Sequence, residues 1–327
     1  MNKKTQVTIL IATLTMQVQS MENAKPIDVI FNGRRTTNNA FFNFYQSKKS
    51  FKNEYRIDKI CLRKNIPENS VVNLIIPART KEGHQVVLDK QACAGWNNKN
   101  IKINLYFVAT EISKNNKRKG KNKKGKEHYK KSFAYVKIVG DKSGFFKDST
   151  SLINCDLSGI GNKPAKCNKD TKKNNVNIMT CMFDGCSNLE SIKWGKFNIS
   201  KATRVDYMFR NCGKLRNLNR LHISRAHTAK GMFANCSSLE RLTLSGYRFA
   251  KLKNMAEMFL NCVALNNLDL SKLNFSSVAE MKDFISGCQS LEEISIHPAM
   301  QKKRFAIAMA SCTDCPQFID EEGYLIN

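Results

Sequence analysis

The side chains able to do chemistry are few, and their spacing limits what they can do. Cys312-x-x-Cys315 is the sequence's one Cys-x-x-Cys pair. A structural zinc site needs four ligands, and no second such pair and no paired His accompany it. The 5 His are His84, His128, His222, His227 and His297, and none sits in a His-Glu-x-x-His arrangement. No Gly-x-Ser-x-Gly nucleophile turn and no phosphate-cradling loop is present, and Gly159-Ile160-Gly161 lies in an Asn- and Lys-rich stretch without a preceding long strand pattern. The sequence therefore predicts no catalytic residue, no cofactor and no bound metal, and a protein that is not an enzyme.

Charge offers a different chemistry. Lys114 to Lys131 contains ten Lys or Arg and one Glu, with Gly and Asn between them. No apolar period supports a packed element there, so a solvated loop between two strands is expected. Lys117, Arg118, Lys119, Lys121, Lys123, Lys124 and Lys126 are its candidate polyanion contacts, toward an anionic polymer such as nucleic acid or acidic polysaccharide, or toward lipid headgroups. His128 and Tyr129 alone are too few for a base-stacking platform. The whole chain of 327 residues carries 54 Lys and Arg against 27 Asp and Glu, a formal +27 that excludes an acidic solvating protein. Its 42% hydrophobic content is enough to bury a core.

The elements that position these residues are legible in the second half, because it repeats. Cys186, Cys212, Cys236, Cys262 and Cys288 are spaced 26, 24, 26 and 26 apart. Three residues after each stands a Leu, and three before each stands Phe183, Phe209, Phe233, Phe259 or Ile285. Ala202, Val205, Met208, Phe209 and Cys212 share the spacing of one helix face, with Ser200, Ser224 and Ser276 as N-caps in successive copies. The residue before each ladder Cys is Gly185, Asn211, Asn235, Asn261 or Gly287, the two types that enter the left-handed region most readily. This predicts a capped helix of about ten residues per copy. Leu239-x-x-Leu242-x-Leu244 and its counterparts then alternate as a strand.

The predicted fold is an α/β leucine-rich-repeat solenoid, with a parallel sheet on one face and short helices on the other, preceded by a small β-rich domain. Helices packed side by side would keep the ladder thiols too far apart to bond, so these Cys are expected buried and reduced. Disulfides among Cys155, Cys167 and Cys181 stay open. Residues between the buried strand positions should point outward and align. Lys193, Asn219, Arg241, Thr243, Asp269 and Ser295 are accordingly the candidate partner-binding residues, running from basic toward acidic along the chain.

Two further segments set the domain plan. Lys3, Lys4 and the apolar Val7 to Val18, ahead of Val18-Gln19-Ser20, read as a signal peptide over residues 1–20. Residues 21–140 form the β-rich N-terminal domain with the Lys-rich loop at 114–131, residues 141–298 the 26-residue repeats, and residues 299–327 a degenerate capping repeat around Cys315. No transmembrane segment is expected in the mature chain.

Met232 to Ser245 and Leu273 to Met281 resemble the bacterial surface protein 26-residue repeat, the BspA-like class of leucine-rich repeats. The resemblance implies an exported or surface protein with an adhesive or host-interacting role and without catalysis. Its partner would be a protein or glycan on a host or neighbouring cell surface.

Overall fold

The computed structural model describes residues 26–31, 40–47, 53–111, 119–121, 127–129, 133–139, 141–161, 178–195, 197, 199–218, 221, 223–243, 251–271, 277–296 and 311–315. The predicted signal peptide lies outside them. The strands run β1 (Ile27–Ile30), β2 (Phe42–Gln46), β3 (Glu54–Leu62), β4 (Ser70–Pro77), β5 (Gln85–Leu88), β6 (Ile101–Val108), β7 (Thr110–Glu111) and β8 (Lys119–Lys121). They continue through β9 (Glu127–Tyr129), β10 (Phe133–Ala134), β11 (Lys137–Ile138), β12 (Leu152–Asp156), β13 (Ser191–Lys193), β14 (Arg241–Thr243), β15 (Asn267–Leu270) and β16 (Glu293–Ile296).

These strands form five separate sheets, ordered β1-β4-β6-β12-β13, β10-β7, β11-β5-β3-β2, β14-β15-β16 and β8-β9. The first and fourth are wholly parallel. The first also crosses residue 140, because β6 pairs with β12, so the hydrogen-bonded stack runs on from the N-terminal half into the repeats. Strand β4 shows why these segments are strands: Val72, Leu74 and Ile76 point inward and are fully buried, and the residues between them face outward.

The expected α/β solenoid is not what forms. Among the described residues there is no helix, and the regular structure is strand alone. The segments predicted as helices are runs of tight turns. In the Cys181–Cys186 run, Met182, Asp184 and Cys186 donate their N–H three residues back, while Cys181, Phe183 and Gly185 donate to Asp206, Met208 and Arg210 of the next coil. An α-helix would spend all these donors on residues four back within its own coil. The left-handed residue before each Cys is present, with φ of 62°, 61° and 57° at Asn211, Asn235 and Asn261, but it does not cap a helix. A second left-handed residue stands four positions earlier, at Cys181, Tyr207, Gly231, Glu257 and Asp283. A helix cannot pass through that pair, since each position reverses the sign of φ. Ser224, predicted as an N-cap, instead donates its hydroxyl to the Ser200 carbonyl of the preceding coil.

Coil spacing changes accordingly. Helices side by side would keep coils 8–10 Å apart. Here Phe183, Phe209, Phe233 and Phe259 stack with ring centroids 5.5 Å apart at each step and interplanar angles of 5–9°. The stack ends at Phe284, which meets Phe259 edge-on because Ile285 occupies the ring's place in that coil. The predicted inward set is buried all the same: Ala202, Val205, Met208, Phe209 and Cys212 are fully enclosed.

Two substitutions test this packing. Phe233→Ala or Leu242→Ala should lower unfolding free energy by about 2–5 kcal/mol in a denaturant titration, since each leaves a cavity in the shared core. Asn235→Val should cost more than Asn235→Gly, because a β-branched residue at this φ adds about 1–2 kcal/mol of backbone strain.

Candidate functional site

The parallel sheets present two polar outward faces. On the first sheet the register places Asp28, Asn73, Asn104, Asn154 and Ser191 in one row. Their side chains form a head-to-tail ladder. Ser191 donates to Asn154, Asn154 Nδ2 to Asn104 Oδ1 at 2.9 Å, Asn104 Nδ2 to Asn73 Oδ1 at 3.0 Å, and Asn73 Nδ2 to the Asp28 carboxylate at 2.7 Å. The neighbouring row ends in Asp156 and Lys193, paired at 2.9 Å. Partial burial works to raise the Asp156 carboxyl, but hydrogen bonds from Ser158 and Lys193 outweigh it and hold the group below its ordinary range.

The second face lies on β14-β15-β16. Arg241, Asn267 and Glu293 form one row, and Thr243, Asp269 and Ser295 the next. Asn267 Nδ2 donates to Glu293 Oε2 at 2.6 Å, and the Ser271 N–H donates to Asp269 Oδ1 at 2.9 Å. Arg241, Asn266, Asn267, Asp269, Glu292 and Glu293, with Leu242, line a shallow cleft of about 490 Å³.

Of the predicted partner-binding residues, the structure brings together Arg241, Thr243, Asp269 and Ser295 on this one sheet. Lys193 belongs to the other sheet, where it is tied to Asp156. Asn219 lies outside the described residues. Of the predicted polyanion contacts, Lys119 and Lys121 lie on β8, which pairs antiparallel with β9. Lys117, Arg118, Lys123, Lys124 and Lys126 lie outside the described residues.

Sequence reasoning missed the Asn ladder. Its signal is an Asn in the same outward position of β4, β6 and β12, but strands in the first half carry no fixed period from which to align them. It also missed the charge pairs on the turn side. Arg210 donates from Nε and Nη2 to both carboxylate oxygens of the buried Asp184, at 2.9 and 2.7 Å, and lies over the Tyr207 ring at 4.5 Å. Tyr207 in turn occupies the space left at Gly231, where a Cβ would come within 2.5 Å of the ring. These pairs join adjacent coils.

The ladder thiols are inert by geometry. Cys186, Cys212, Cys236, Cys262 and Cys288 each donate Sγ–H to a Phe carbonyl of the preceding coil, at 3.0–3.2 Å. Burial pushes Cys236 and Cys288 up to about 12 and raises the other three as well. Cys155 and Cys181, whose bonding the sequence leaves open, carry no disulfide, and Cys167 lies outside the described residues. Among the described residues no group of three or more His, Cys, Asp or Glu is arranged to hold a metal ion. Among the described residues there is no helix long and apolar enough to cross a membrane.

Residues 177–297 are similar to a family described as Mycoplasma protein of unknown function, DUF285. That match covers less than half of the chain and takes in the repeats from the first ladder Cys to the last. It corrects the resemblance drawn from Met232 to Ser245: the matching family is not the BspA-like leucine-rich-repeat class, and no other family model matches. No curated protein and no solved structure matches the chain.

The thiol geometry makes a direct prediction. Alkylation of the native chain should leave all five ladder Cys unmodified, and alkylation after denaturation should label all five, as read by peptide mass spectrometry. A thiolate is needed for reaction, and burial suppresses it.

Proposed function

We propose that this is an exported or surface recognition protein that is not an enzyme, whose β14-β15-β16 face binds a protein or glycan partner on a host or neighbouring cell. The observation that carries the proposal is the pair of in-register rows, Arg241–Asn267–Glu293 and Thr243–Asp269–Ser295, of which the first row and Asp269 line one cleft. Parallel pairing of β15 with β14 on one edge and with β16 on the other fixes the spacing of these residues. A partner therefore meets donors and acceptors whose backbone is already ordered, so the entropic cost of binding is small. Export is supported by Lys3, Lys4 and the apolar Val7 to Val18.

A second reading rests on a separate observation, the ten basic residues of Lys114 to Lys131 in a chain of net charge +27. This segment would bind an anionic polymer or lipid headgroups through counterion release.

One experiment separates the two. The full chain is screened against immobilised matrix proteins, glycans and anionic vesicles. The best binder is then titrated with Asp269→Lys/Glu293→Lys, with a deletion of 117–126, and with Lys214→Ala/Arg225→Ala as an exposed control on other coil positions. The proposal predicts a loss of about tenfold or more, ~1.4 kcal/mol, in the first variant only. Loss confined to the deletion, together with steep salt dependence, would establish the second reading and overturn the first.

A further inference from the structure

The Cys312-x-x-Cys315 pair plays no part in the faces described above. Its thiols differ from the ladder thiols in exposure, orientation and position. Both are half-exposed, whereas the ladder thiols are enclosed. Asp314 between them has φ of 50°, which bends the chain. Across that bend the Cys315 thiol donates to the Cys312 sulfur instead of to a carbonyl of a neighbouring coil. The pair flanks Thr313 and follows Ser311, the two residues that clasp the turn run before β16. The Gly287 N–H donates to the Thr313 carbonyl at 2.8 Å, the Thr313 N–H to Ser286 Oγ at 3.1 Å, and the Asp283 N–H to Ser311 Oγ at 3.1 Å.

We propose that Cys312 and Cys315 form a dithiol modification site, oxidised by low-molecular-weight disulfides to an intramolecular disulfide that locks this clasp. The hydrogen bond between the thiols brings the two sulfurs together across a three-residue step, the approach from which a disulfide can form. In the first step the Cys312 thiolate attacks one sulfur of the external disulfide. That S–S bond breaks, one small thiolate leaves, and a mixed disulfide forms on Cys312. Cys315 then gives its proton to solvent and attacks Cys312 Sγ. The Cys312–Cys315 bond forms and the second small thiolate leaves. Two protein thiols lose two electrons, and one external disulfide becomes two thiols. In the reduced pair burial, and then the neighbouring Cys312, push the Cys315 thiol up to about 11. The burial remains once Cys312 carries the small thiol, so the second displacement is slow near neutral pH and speeds up as pH rises. The ladder thiols are spared, because they are enclosed and committed to Phe carbonyls.

The test uses the full reduced chain, incubated with oxidised glutathione, quenched with acid and mapped by mass spectrometry. The expected product is a loss of about 2 Da in the segment holding both residues, with alkylation lost equally at Cys312 and Cys315 and unchanged elsewhere. Formation should accelerate about tenfold per pH unit between neutrality and the Cys315 range. Cys315→Ser should trap a glutathione adduct on Cys312, and the Gly287 amide should exchange more slowly in the oxidised wild-type chain. A glutathione adduct that persists on the wild-type pair even when the pH is raised into the Cys315 range, unchanged alkylation at both residues, or a bond from either residue to Cys288 would overturn the site. Unchanged Gly287 exchange after full oxidation would overturn the clasp. None of these outcomes depends on which partner the strand face binds.

Discussion

The structure depends on where the alternate amides of each turn run go. At Cys181, Phe183 and Gly185, and again at Tyr207, Phe209 and Asn211, the N–H points out of its own coil and into the next. Strands in one sheet lie about 4.8 Å apart. A turn run that hydrogen-bonds to its neighbour in the same way must hold a similar spacing, so both sides of every coil stack at one pitch. The parallel bridges Ile178–Arg204–Thr228–Asn254–Glu280 mark that pitch at the start of each turn run. The face-to-face Phe column, the thiols under Phe carbonyls and the Asn211–Asn235–Asn261 side-chain ladder all follow from it.

The same pitch joins the two halves of the chain. The Gly95 N–H donates to the Lys147 carbonyl as the Asp148 N–H donates to Asp184 and the Gly185 N–H to Arg210. Ser149, standing where later coils have Cys, donates its hydroxyl to the Cys93 carbonyl and accepts from the Trp96 N–H. A segment without the sequence repeat thus continues its hydrogen bonding. Outward side chains on both parallel sheets are spaced by the backbone alone, and this is what qualifies the rows on β14, β15 and β16 as a preorganised surface.

Which residues face inward was legible in the sequence. Phe, Met and Leu at fixed offsets from each ladder Cys are buried because a repeat places them identically in every coil. The strand rows Thr243–Asp269–Ser295 were legible for the same reason. The conformation of the turn run was not. Buried positions spaced 3, 3, 1 and 3 fit one face of a helix, and they equally fit a succession of tight turns. The distinguishing feature is the second left-handed site, and its occupants hide it: Cys181, Tyr207, Gly231, Glu257 and Asp283 share no side-chain character. Only Gly231 belongs to the type that signals positive φ. Neighbouring coils supply the hydrogen bonds that hold the other four there, and local propensity does not record them. The Asn ladder on β4, β6 and β12 was hidden for a related reason, since its register is set by pairing between strands of unequal spacing in the chain.

The most direct test is a measurement of scalar couplings across hydrogen bonds in the isotope-labelled, deuterated protein. Coupling from the Phe209 amide nitrogen to the Met232 carbonyl, and from Phe233 to Met258, is the predicted result, because those N–H groups donate to the adjacent coil at 2.9 Å. Coupling from the same amides to the carbonyls four residues back, at Val205 and Ala229, would mean that helices form the turn side and would contradict the stacked-turn architecture.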